Sequence, residues 1–361
     1  MRRRDVIVGL ASIATPWPRA GRAQRALPLI ESAWVDGLAN APTGTPQVPG
    51  LLNNYHPAGR SPGRNKSNGR QPPFNVPGID YRVGINTGVT LKSVATMNIP
   101  DVTVSGNIIS VSGNNVVIDG YDCTNYRITQ LPTAQNTTIR NCRWMNTVEL
   151  VPILFLGVGG YVGNCSINVG GFELQKAGAI TWMGPAWPGP EGHGNLSGNW
   201  LVEYCEVCNC GVDVFKQSDG AAGAGSLTIQ YCYIHDNAVL RSAVWYHPDV
   251  TQIVDASGYW AIKYWNNFYY SPTYASQGFM TPGDAAYPSF TCQNVLIGVG
   301  LWWMSCGTLK LTGNQRYTVH DNYMDRWAGS AGGYNYHDNA TLASMQDLVG
   351  NKKLTTGATW R

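Results

Sequence analysis

Two short segments place carboxylates and partner groups in the same order. Asp213-Val214-Phe215-Lys216 and Asp249-Val250-Thr251-Gln252 each begin on Asp and reach a long polar side chain three residues later. If they are one strand in successive turns of a repeat, Asp213 stacks on Asp249 and Lys216 on Gln252, with backbones about 5 Å apart. Two carboxylates so placed have three uses. They could bind Ca2+ through hard oxygen ligands. They could act as acid and nucleophile, or acid and base, in glycoside hydrolysis. They could raise one pKa by like-charge repulsion and create a proton donor near neutral pH. A functionless exposed row of turn residues has the same spacing. Alternation puts residues i and i+2 on one face, so Asp213 and Lys216 need a bend to meet. Asn294-Val295-Leu296-Ile297 is expected to continue the row in the next turn.

His247-Pro248-Asp249 adds a group that can act as general acid or base near pH 7, with Pro248 fixing the chain direction between His247 and Asp249. Trp245 and Tyr246 stand just before it and Arg241 slightly upstream. Amphipathic aromatic faces suit sugar rings. The Pro/Gly-rich loop 182–194 carries Trp182 and Trp187, candidate walls of a sugar-binding groove. No Gly-x-Ser-x-Gly elbow is present, so serine nucleophile chemistry of that type is not expected.

The elements that must position these groups are written in a repeat. Copies run Val116-Val117-Ile118-Asp119-Gly120-Tyr121-Asp122-Cys123, Thr137-Thr138-Ile139-Arg140-Asn141-Cys142-Arg143-Trp144 and Tyr161-Val162-Gly163-Asn164-Cys165-Ser166-Ile167. Leu201-Val202-Glu203-Tyr204-Cys205-Glu206-Val207 and Leu227-Thr228-Ile229-Gln230-Tyr231-Cys232-Tyr233-Ile234 are the best matched pair. Ala261-Ile262-Lys263-Tyr264-Trp265 and Thr318-Val319-His320-Asp321-Asn322 replace the Cys. Equating residues 123, 142, 165, 205, 232, 265 and 322 gives steps of 19, 23, 40, 27, 33 and 57. Steps of this order point to a solenoid, and the last step is expected to hide a coil in which Cys292-Gln293-Asn294-Val295-Leu296-Ile297 is a strand. Apolar and polar residues alternate within each copy, the period of a strand with one buried face.

On these copies, over roughly residues 95–330, the chain resembles the right-handed parallel β-helix, the pectate-lyase-like superfamily. The resemblance implies an all-β, right-handed, single-stranded parallel β-helix with an irregular N-terminal arm and long loops. A β-propeller would need more regular blades of about 40 residues. Lyase families on this fold use Lys or Arg as base, with Ca2+ or a second cation neutralising the uronate carboxylate. The resemblance therefore implies Lys216 and Arg241 as base and neutraliser. Gly192-His193-Gly194 resembles the Gly-His-Gly of polygalacturonases, without that family's other motifs. The candidate catalytic set is Asp213, Lys216, Arg241, His247 and Asp249. The candidate substrate-binding set is Trp182, Trp187, Trp245, Tyr246 and Gln252. Asp213 and Asp249 are also the candidate Ca2+ ligands.

Cys123, Cys142, Cys165, Cys205 and Cys232 share one repeat position and are expected to form an internal ladder of buried thiols. A disulfide among Cys208, Cys210, Cys292 and Cys306 stays open, because export leads to an oxidising compartment. Cys205-x-x-Cys208-x-Cys210 has no second cluster to complete a zinc site.

The N-terminus reads as an address. Arg2, Arg3 and Arg4 precede a short apolar stretch and small residues up to Ala23, the layout of a signal peptide. The paired arginines resemble the twin-arginine type, so the protein is expected to be exported to the periplasm or beyond. The expected organisation is a signal peptide at 1–23, an arm or cap with linker at 24–95, the β-helix at 96–330 and a tail or cap at 331–361. Residues 1–23 hold five Arg and one Asp, so the formal +3 of the chain becomes −1 for residues 24–361. A nucleic-acid partner is not expected from that charge, and no apolar run beyond the first 20 residues is long enough to span a bilayer. The sequence thus points to an exported polysaccharide-cleaving protein, hydrolase or lyase. A non-catalytic glycan-binding or adhesion rod is the alternative.

Overall fold

A computed structural model describes Pro77 and residues 81–172, 174, 177–186, 189–218, 223–236, 249–253, 260–281, 289–306, 316–319, 321–326, 336–337 and 352–353. Segments in which every second residue is apolar form short strands that bury that face. The strands fall into three columns, each running parallel from coil to coil. The first sheet contains Val117–Asp119, Gln135–Arg140, Val158–Gly163, Ser197–Glu203 and Gly225–Gln230, and ends with Arg316–Val319. The second contains Tyr121–Asp122, Arg143–Met145, Ser166–Asn168, Glu206–Cys208 and Tyr233–His235, and ends with Tyr323–Arg326 and Lys352–Lys353. The third contains Ile108–Val111, Arg127–Gln130, Ile153–Phe155, Ile180–Met183, Phe215–Ser218 and Asp249–Ile253, and ends with Tyr336–His337. The long strands Trp260–Thr281 and Ser289–Cys306 pass through all three columns in turn. The fold is all-β and repeat-like, and it fits a parallel β-helix. Among the described residues no helix is long and apolar enough to cross a membrane.

The interior is one apolar column. Ile118, Ile139, Val162, Val202 and Ile229 enter it from the first sheet, and Ile167, Val207, Ile234 and Tyr269 from the second. Ile128, Ile153, Ile180 and Phe215 enter it from the third. Phe155 lies 5.8 Å from Trp182 and 4.6 Å from Trp200, ring centre to ring centre. At the N-terminal end, Val102–Ser105 pairs antiparallel with Ile108–Val111. There too, Ser93 Oγ accepts the Ala95 N–H to cap the short helical turn Val94–Thr96.

The thiol ladder exists, with a different register. Asp122 pairs with Arg143, so Tyr121, not Cys123, takes the cysteine position of the first coil. Cys142, Cys165, Cys205 and Cys232 follow, each thiol sharing its proton between the carbonyl two residues before it, at 3.2–3.4 Å, and the carbonyl one coil earlier, of Ile118, Ile139, Val162 and Val202, at 3.8–4.0 Å. Gln230 then pairs with Trp265, so Asn267, not Trp265, stands opposite Cys232. Asn294 and Asn322 continue the row and resolve the long last step into two coils. These asparagines repeat the thiol's bond with a stronger donor. Asn267, Asn294 and Asn322 donate from Nδ2 to the carbonyls of Ile229, Tyr264 and Cys292, at 2.8, 3.2 and 2.9 Å. Their Oδ1 atoms also accept the backbone N–H of Cys232, Asn267 and Asn294, at 3.0, 3.1 and 2.7 Å, which satisfies buried turn groups. Cys208, Cys210 and Cys292 are buried as thiols, and no disulfide joins any of these three.

A second row marks the corner between the first and second sheets. Gly120, Asn141, Asn164, Tyr204, Tyr231, Asn266 and Asp321 all have φ between +51° and +74°. Glycine and asparagine tolerate this left-handed conformation, whereas a tyrosine there costs about 1–2 kcal/mol. Tyr204 and Tyr231 offset that cost by stacking at 5.3 Å and 13°, with Tyr81 edge-on to both. Tyr81 opens a strap that runs back along the row. Its hydroxyl donates to Asn266 O at 3.2 Å, Gly84 N to Tyr204 O at 2.8 Å, Asn86 Nδ2 to Asn141 Oδ1 at 2.9 Å, and Lys92 N to Gly120 O at 2.8 Å.

Candidate functional site

The Asp213–Gln252 row lies on the outer face of the third sheet. Phe215 and Gln217 point inward and are fully buried or nearly so, which leaves Lys216 between them pointing out. Phe215 pairs with Thr251 and Lys216 with Gln252, the stacking expected from the sequence. Asp213 precedes the strand, and a bend at Val214 supplies the change of direction that brings its carboxylate to Lys216. Lys216 Nζ donates to Asp213 Oδ2 at 2.8 Å and to Gln252 Oε1 in the next coil. Asp213 Oδ1 accepts the backbone N–H of Asp249 at 3.1 Å, and Asp249 O accepts from Val214 N at 3.0 Å.

Both oxygens of Asp213 are thus engaged, Oδ1 with the next coil directly and Oδ2 with Lys216 of its own coil, which in turn reaches Gln252 of the next. The Asp213 side chain is 6% exposed, that of Lys216 15%. Lys216 acts here as a donor, and its two bonds use two of the three ammonium protons. Among the described residues no group of three or more His, Cys, Asp or Glu could hold a metal ion. The row does not run on into Asn294–Ile297. In the following coil Asp249 pairs with Gln277 in the third sheet, whereas residues 295–297 belong to the second. Trp182 does not wall an outer groove: it is fully buried in the core against Phe155. Trp187, Arg241, Trp245, Tyr246 and His247 lie outside the described residues, as does the segment 1–23. No family model, curated protein or solved structure matches this chain.

The loop that carries Gly192-His193-Gly194 covers part of the same face. Arg127, at the start of its strand, forms an ion pair with Glu191. His193 Nδ1 lies 3.0 Å from Pro185 O. Beneath the loop Leu154, Leu156 and Met183 form a small apolar cluster apart from the main core.

A second constellation went unnoticed in the sequence. On the outer face of the second sheet, His235 is 3% exposed, with Nε2 at 3.2 Å from Glu206 Oε1 and Nδ1 at 2.7 Å from Asp236 Oδ2. Tyr233 stacks on the imidazole at 4.3 Å and 20°. Burial disfavours the charged ring, but the hydrogen bonds to Asp236 and Glu206 outweigh it and raise the pKa to about 9. The signal was available in the best matched pair of repeats. With Cys205 over Cys232, Cys208 stands opposite His235, and Glu206 is its diagonal neighbour.

Proposed function

We propose that this chain is an exported, right-handed, single-stranded parallel β-helix protein that acts on a polysaccharide along the outer face of its third sheet. The observation that carries the reading is the polar row Asp213–Lys216–Gln252, in register across two coils on the face opposite the apolar core. Lys216, held by Asp213 and Gln252, serves as a fixed hydrogen-bond donor toward an acidic sugar, where its positive charge neutralises a uronate carboxylate. Proton abstraction would then fall to Arg241 or His247, the basic residues upstream of Asp249. A fixed cation at that point favours β-elimination, because it stabilises the negative charge that develops when the proton α to the carboxylate leaves. The hydrolytic use of Asp213 and Asp249 is less well supported, since both Asp213 oxygens are already bonded.

The same engagement of Asp213 favours a second reading, a non-catalytic glycan-binding rod. The two separate by incubating the mature chain, from Gln24 onward, with neutral and acidic polysaccharides, with Ca2+ and with chelator. New reducing ends together with unsaturated-sugar absorbance, lost in Lys216→Met, support elimination. Reducing ends alone support hydrolysis. Silence from folded protein on every substrate supports the rod.

A further inference from the structure

The outer face of the first sheet is built differently from the other two. Along one row it carries Glu203, Gln230 and Trp265 in consecutive coils, in register. Tyr161 joins that row through the glycine that precedes Glu203 in it. Gly163 pairs with Glu203, and a Cβ on Gly163 would sit 2.0 Å from Tyr161 Oη and 2.3 Å from Cζ. The absence of a side chain at residue 163 lets the Tyr161 ring lie along its own strand, and its hydroxyl donates to Glu203 Oε1 at 3.2 Å. Burial, then the Glu203 carboxylate, push the phenol pKa well up, so it keeps its proton. From the other side Gln230 Nε2 donates to Glu203 Oε2 at 2.7 Å. One coil on, Lys263 Nζ lies 4.1 Å from the centre of the Trp265 ring. Tyr161, Glu203, Gln230, Lys263 and Trp265 are all only partly buried.

We infer that this face is a binding track for a neutral carbohydrate chain. Three arguments select that occupant. Tyr and Trp bracket the row, and their half-buried rings offer the amphipathic surface on which sugar rings stack. Between them, Glu203 and Gln230 are held in fixed orientation by each other and by Tyr161, an acceptor-and-amide pair suited to sugar hydroxyls. The charges of Glu203 and Lys263 cancel, so the track has no net field to draw a polyanion or a charged peptide. Tyr161 and Trp265 are three coil steps apart, about 14 Å at the strand spacing, which gives the track the length of a short oligosaccharide. This inference shares with the proposed function only the class of ligand. It concerns a different sheet and needs no catalysis.

Affinity electrophoresis of the mature chain in gels containing hydroxyethylcellulose, glucomannan, xylan or starch tests it, followed by calorimetric titration with the matching oligosaccharides. Retardation by at least one neutral glycan is expected, with affinity falling at least tenfold in Tyr161→Ala and in Trp265→Ala. Tyr161→Phe, which keeps the ring and loses only the bond to Glu203, should stay within a few-fold of wild type, and circular dichroism checks that all three fold. No retardation by any of the four glycans overturns the inference. So does binding that both alanine variants leave unchanged. Dimerisation in gel filtration that Trp265→Ala abolishes also overturns it, by marking the face as an interface between copies. Binding here without any chain cleavage would count against the catalytic reading alone. Cleavage that persists without binding on this face would count against the track alone.

Discussion

Replacing His235 by Gln removes a buried charge that is bonded to two carboxylates. The imidazole lies between Glu206 and Asp236, under the Tyr233 ring, at 3% exposure. Its folded pKa of about 9 lies above the value of about 6.5 for an unperturbed histidine. The folded protein therefore holds a proton that the unfolded chain releases first. The stability this contributes is complete below pH about 6.5 and is lost as pH rises through about 9. A difference of about 2.5 units at 1.36 kcal/mol each amounts to roughly 3 kcal/mol. Urea unfolding followed by far-ultraviolet circular dichroism, at each pH from 6 to 10, gives the measurement. The stability gap between wild type and His235→Gln should shrink by roughly 3 kcal/mol across that range. Subtraction cancels the other titrating groups. A gap that stays constant with pH would show that His235 is neutral in the folded protein, and the reasoning would fail.

Three further outcomes follow from the same structure. Lys216→Met removes the cation that faces the nearly buried Asp213 carboxylate and should cost roughly 3 kcal/mol. Adding Asp213→Asn should recover part of that loss, a coupling that a double-mutant cycle in urea reads directly. Asn267→Ala leaves the Cys232 N–H and the Ile229 carbonyl without their side-chain partner and should cost roughly 2–4 kcal/mol. Cys232→Ala, which removes only a weak thiol donor, should cost less by the same unfolding assay. Burial drives the Cys208 thiol pKa up and that of Cys210 to about 12. Neither should react with an aromatic disulfide reagent at pH 8 until the protein is unfolded, as mass spectrometry of labelled peptides would report.

The strands were legible because their code is local. Val202 and Val207 face inward in one copy as Ile229 and Ile234 do in the next, and the structure sets Leu201–Val207 against Thr228–Ile234 in a single register. The stacking of Lys216 on Gln252 was readable for the same reason. The register slipped at Cys123 and Trp265, where matching residue types misled. A cysteine two positions past the ladder position of Tyr121 still reaches the ladder, and an asparagine can replace the thiol without resembling it. Trp182 was misassigned because a tryptophan next to a Pro/Gly loop reads as exposed, while its place in the alternation of Ile180–Met183 turns it inward. The Glu206–His235 contact was hidden because it is diagonal between coils. The Tyr161–Glu203 contact depends on a glycine, whose meaning appears only once a ring lies over it.

The strap changes what kind of object the stack is. Coils that touch only their neighbours unravel independently from either end, with stability a sum of local terms. Residues 81–92 break that locality, since one covalent segment is bonded to the turns at residues 120, 141, 204 and 266. Fraying of the first coil therefore releases a contact on the coil of Asn266, and the reverse holds as well. The two boundaries of this span are thermodynamically linked, so its backbone amides should exchange with deuterium as one cooperative block. The coils beyond the reach of Tyr81 keep the graded, end-first exchange of an ordinary repeat array.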